Sequence, residues 1–83
     1  MKFKPGNLLC HTRSKGLWIV VDILPINKRG SRRRRTTFRL QMNAACVQPG
    51  IDKLNHTGDI DTWLFQQEDG SDHDDMWTVI NEA

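Results

Sequence analysis

Apolar and β-favouring residues run almost unbroken from Gly16 to Leu24, in the order Gly-Leu-Trp-Ile-Val-Val-Asp-Ile-Leu, with Pro25 behind them. The β-branched Ile19, Val20, Val21 and Ile23 have stiff side chains that favour an extended, pleated backbone, so this run predicts a central strand. Alternation sends Leu17, Ile19, Val21 and Ile23 to one face and Trp18, Val20 and Leu24 to the other. Both faces are then apolar apart from Asp22. That pattern places the strand in the middle of a sheet, or bends it across a small barrel where it serves the core twice. Trp18 falls on the less clearly inward face and is expected to be partly exposed.

The flanking segments are shorter and more amphipathic. Pro5-Gly6 predicts a type II turn, because Pro5 presets φ and Gly6 accepts the positive φ of the next position. Leu8 to Thr12 alternates as a first strand, with Leu8 and Cys10 on one face and Leu9 and His11 on the other. The polar connection Arg13-Ser14-Lys15-Gly16 is so tight that the first two strands must be antiparallel neighbours. Beyond Leu24, residues 25–31 read as a turn-rich arm with little to bury. Then comes the clearest alternation in the chain: Thr36, Phe38, Leu40 and Met42 inward, and Arg33, Arg35, Thr37, Arg39 and Gln41 outward, a third strand. Ala44 to Val47 fits either strand continuation or a helical turn, and Pro49-Gly50 marks another turn. The reading of 43–59 is a connection with at most one short helical turn, near Asp52 to Leu54. Ile60 to Gln67 alternates as a fourth strand, with Ile60, Thr62 and Leu64 opposite Trp63 and Phe65. Residues 68–75 form a solvated acidic loop, and Met76 to Ile80 a fifth strand. The predicted fold class is all-β: a small five-stranded antiparallel SH3-like barrel, since curling leaves such short strands little free edge.

Lys4-Pro5-Gly6-Asn7-Leu8-Leu9, followed by Lys15-Gly16-Leu17-Trp18-Ile19-Val20-Val21-Asp22-Ile23, resembles the opening of SH3-like barrels of the KOW kind. There a Pro-Gly-Asp-Leu-Val segment leads into a Gly-x-Val-x-x-Ile strand, in ribosomal proteins, transcription elongation factors and small phage proteins. The resemblance covers about the first quarter of the chain. It implies a module that binds nucleic acid or protein and carries over no catalytic residues.

Composition narrows the function further. Eighty-three residues make one domain, 1–83, with one modest core. No apolar run approaches the ~18 residues that span a bilayer. Met1 to Gly6 is charged and then turn-like, with no apolar stretch behind it, so a cytoplasmic protein is expected, in the host cytoplasm if it is phage-encoded. Cys10 and Cys46 are then reduced thiols that act as small buried hydrophobes.

Charge is the most informative global property. Residues 1–42 hold eleven Lys and Arg against Asp22 alone, a balance of +10, whereas residues 43–83 hold Lys53 against nine carboxylates, a balance of −8. The halves either neutralise each other on folding or form faces with separate partners. The densest cationic stretch is a mobile basic arm at 28–35, with Lys28, Arg29, Arg32, Arg33, Arg34 and Arg35, followed by Arg39. Guanidinium groups stay charged and match phosphate oxygens in a bidentate fork, so these residues are candidate nucleic-acid contacts, with Trp18 as a candidate stacking surface. In the acidic loop, Asp69, Asp72, Asp74 and Asp75 are candidate contacts for a protein partner.

No chemistry beyond binding emerges. The acidic loop lacks the alternating ligands of an EF-hand, and the Cys and His residues lack any zinc-binding spacing. There is no nucleophile elbow and no glycine-rich phosphate loop. An enzyme, a metal, a cofactor and a small-molecule substrate are therefore not expected. Two functions stand. One is a regulatory module that binds DNA or RNA through the basic arm and strand. The other is a protein-binding module, such as a phage-type inhibitor of a host protein, that docks by charge complementarity.

Overall fold

The central apolar run does become the middle of a sheet. The computed structural model describes residues 2–30, 36–73 and 75–81. Its strands are β1 (Leu8–His11), β2 (Leu17–Arg29), β3 (Thr37–Gln48), β4 (Ile60–Phe65) and β5 (Trp77–Asn81), with a 3-10 turn at Ser71–His73. All five belong to one antiparallel sheet in the order β4-β3-β2-β1-β5. The sheet is not closed by hydrogen bonds between its outer strands, which is consistent with a small SH3-like barrel. Among the described residues no helix is long and apolar enough to cross a membrane.

One face of the curled sheet is the core. Leu9 from β1, Trp18 and Val20 from β2, Met42, Ala44 and Cys46 from β3, Phe65 from β4 and Trp77 from β5 are all buried there, with Phe3 from the N-terminal segment. Full burial of a side chain such as Phe3, Leu9, Met42 or Phe65 contributes about 1.5–3 kcal/mol. The seam between β4 and β5 is bridged by aromatic rings. Trp18 meets Trp63 edge to face at 5.1 Å, Trp63 meets Trp77 at 5.0 Å, and Trp77 meets His11 at 5.0 Å. Each aromatic pair of this geometry adds about 0.5–1.5 kcal/mol beyond the area it buries.

The turn at Pro5-Gly6 is as expected: Gly6 has φ 90°, and the Asn7 amide donates to the Lys4 carbonyl at 3.0 Å. The buried Asn7 side chain then ties this segment down, accepting from the Lys4 amide at 2.7 Å and donating to the Asn81 carbonyl at 3.2 Å.

Four expectations need correction. Trp18 is not partly exposed. It is 4% accessible, and the core face of β2 is the Trp18/Val20 face, whereas Ile19 and Val21 point outward at 38% and 47%. The cross-strand tryptophans need a place on one face, and that requirement outweighs the apolar count on the other. Pro25 does not end β2, which runs on to Arg29. Pro25 stands opposite Leu40, and the register then slips so that Ile26 and Asn27 oppose one residue of β3. Proline is tolerated at such a bulge because a ladder bond is already missing there. Residues 43–48 are not a connection, because β3 continues to Gln48 with small Ala44 and Cys46 buried in the core. No helical turn forms at Asp52–Leu54. The chain there makes a plain turn, Lys53 amide to Gly50 carbonyl at 3.1 Å, and the 3-10 turn lies in the acidic loop.

Candidate nucleic-acid interface

β2 and β3 are much longer than their neighbours. β1 pairs with β2 only at Leu17–Ile19, and β4 reaches β3 only from Leu40 onward. Past that point Lys28 and Arg29 pair with Phe38 and Thr37 alone among the described strands, as a short two-stranded ribbon, with Ile26 and Asn27 bulged opposite Arg39. The Gly30 amide donates to the Thr36 carbonyl at 2.8 Å and closes its far end.

Three predicted cations sit together on this ribbon. Arg29 is directly opposite Thr37, and Lys28 opposite Phe38. Directly opposed residues share a face, so Arg29 lies with Thr37 and, two residues on, Arg39, while Lys28 lies on the reverse face with Phe38. Lys28, Arg29 and Arg39 are all exposed. Arg32, Arg33, Arg34 and Arg35 lie outside the described residues. Trp18 is in the core, far from any surface role.

Thr37 and Gln41 also share the outward face with Arg29 and Arg39, and neither was singled out from the sequence. The alternation that put Arg39 outward carried both of them. Arg39 Nη1 is 3.8 Å from Glu68 Oε1, two side chains that are mostly in solvent, so the pair holds little energy. Below the ribbon the outer face carries a polar ladder: Asn43 donates to Asp22 at 2.7 Å and accepts from the Thr62 hydroxyl at 2.7 Å. Gln41 reaches Asn43 Oδ1 at 3.4 Å.

The acidic loop is more folded than its composition suggests. Asp72 accepts from the Gln66 amide at 2.8 Å and the Gln67 amide at 3.4 Å. Asp69 accepts from the Ser71 amide at 2.9 Å, and that bond, helped by the Ser71 hydroxyl, holds its carboxyl below the usual carboxylate range. His73 packs on Phe65 at 4.2 Å and donates from Nε2 to the Leu64 carbonyl at 3.0 Å. Two of the candidate partner contacts, Asp69 and Asp72, therefore satisfy their own loop's backbone. Asp75 is exposed, and Asp74 lies outside the described residues. No cluster of three His, Cys, Asp or Glu side chains suited to a metal ion occurs among the described residues.

A partly exposed apolar row crosses the outer face at the opposite end from the ribbon. Ile60, Ala45, Ile19 and Leu8 stand in register across four strands, flanked by Val21, Val47 and Ile80.

Fold and surface together define a small, open, five-stranded antiparallel β-protein from which a basic two-stranded ribbon extends. Compared with protein-family models, with curated proteins and with solved structures, the chain matches none of them.

Proposed function

We propose that this chain is a small non-enzymatic regulatory module that binds nucleic acid through the cationic ribbon. The supporting observation is the pairing of Lys28 and Arg29 with Phe38 and Thr37, next to Arg39, which gathers the three cations in solvent on an element with little other packing to do. Strand pairing fixes the spacing of these charges, and fixed cations displace condensed counterions from a phosphate backbone. Arg32 to Arg35 follow in sequence and add to the same charge. The polymer is bound by titration of labelled DNA and RNA in fluorescence anisotropy, from low to physiological salt. On duplex DNA the slope of log K against log salt falls by about 0.9 for each contact removed when Lys28, Arg29 and Arg39 are changed to Gln. Salt-insensitive binding, or a triple variant with the wild-type slope, would sink this reading.

A second reading, a protein-binding module, is favoured by the outer apolar row. Ile60 is 65% exposed, so its partner would offer a complementary apolar patch. If the chain ignores every nucleic acid offered, Ile60→Asp in a pull-down separates the two.

A further inference from the structure

We propose that the outward face of the ribbon reads base edges in the major groove of duplex DNA, with Arg29, Thr37 and Arg39 as the reading side chains. This rests on the nucleic-acid reading above and goes beyond it, from charge to sequence.

The chemistry of the face carries the argument. A surface that only neutralises phosphate needs cations and nothing else. This face sets two arginines beside a threonine: Arg29 opposite Thr37, and Arg39 two residues further along β3. Arginine matches the O6 and N7 acceptors of guanine in a bidentate fork, and threonine hydrogen-bonds either kind of base edge. Alternate side chains on a strand stand about 6.7 Å apart, close to two base-pair steps of about 3.4 Å. Thr37 and Arg39 therefore stand about two base pairs apart.

Shape agrees with chemistry. Two paired strands are the width that the roughly 12 Å major groove of B-form DNA admits, whereas the major groove of A-form RNA is too deep and narrow for side chains to read. Single strands are gripped by stacking on exposed aromatic platforms. The tryptophans cannot serve, since Trp18 and Trp77 are buried and Trp63 is held edge-on between them. The reading groups are also free to turn. Arg29 and Arg39 are exposed, and Glu68 holds Arg39 at only 3.8 Å. Lys28, on the reverse face, is left for the backbone.

The test is selection from a random duplex DNA library with the full chain, followed by anisotropy on the selected duplex, its single strands and the matching RNA duplex. A short motif of about three to five base pairs containing guanine is expected, bound at least tenfold tighter than scrambled duplex. Arg39→Gln should erase the preference at one guanine position, and Arg29→Gln at another, while both variants keep the circular dichroism of the parent. Salt-dependent duplex binding without a motif overturns the inference and leaves the nucleic-acid reading standing. Tighter binding to a single strand or to duplex RNA does the same. A uniform loss of affinity on all sequences in Arg39→Gln makes that residue a phosphate contact and overturns its assigned role. Binding to no polymer removes both proposals.

Discussion

A Cβ on Gly50 would overlap the carbonyl oxygen of Ser14 and sit 2.7 Å from its Cβ, so the turn after β3 presses directly on the turn between β1 and β2. The Ile51 amide donates to that same Ser14 carbonyl at 2.7 Å. Gly50→Ala must push the two turns apart, and a cost of about 1–3 kcal/mol is expected, read as a lower urea midpoint with an unchanged slope. The sequence marks Pro49-Gly50 as a turn for local reasons, but it contains no sign of this contact, because Ser14 is distant along the chain. Pro5-Gly6 was legible for the opposite reason: its geometry is settled by two adjacent residues. Trp18 was misread because counting apolar neighbours on its own strand says nothing about Trp63 and Trp77 on two others.

At the scale of elements, the five strands and their antiparallel pairing were legible from alternation and turn chemistry, and their lengths were not. β2 outlasts Pro25 and β3 runs to Gln48 because partner strands supply the hydrogen bonds and cover, which no single segment encodes. Half of the ribbon face was legible as well, since period-two alternation put Thr37 and Arg39 outward, whereas Arg29 fell in a segment that read as a turn-rich arm. The connection between β4 and β5 looked like a solvated run of carboxylates, yet Asp69 and Asp72 organise it through backbone amides. Its pH behaviour follows from Asp69. A carboxyl held below its ordinary value favours the folded loop while ionised, so that contribution is present above about pH 4 and is lost as acid takes the carboxyl down through its folded value. The expected outcome is faster amide exchange at Ser71, after correction for intrinsic rates, as pH drops below about 4. An Asp69→Asn variant should lack this dependence. A flat profile in the parent protein would mean that the Ser71 bond does not hold the loop.

For the whole molecule, the opposed charges of the two halves meet where Arg39 faces Glu68, in solvent, and such a pair contributes between about 0 and 1 kcal/mol. Glu68→Gln is accordingly expected to move the melting temperature by only a few degrees, while strengthening polyanion binding at low salt by removing a competing anion from Arg39. A large loss of stability would make the charge asymmetry structural and weaken the case for a binding ribbon.

The tryptophan row has a practical corollary. All the indoles of this protein are Trp18, Trp63 and Trp77, joined ring to ring across the seam, and none is on the ribbon. Their ultraviolet emission is a built-in reporter that registers the parting of β4 from β5 and is largely indifferent to what the ribbon holds. One cuvette can therefore separate ligands that grip the arm from solutes that merely open the barrel.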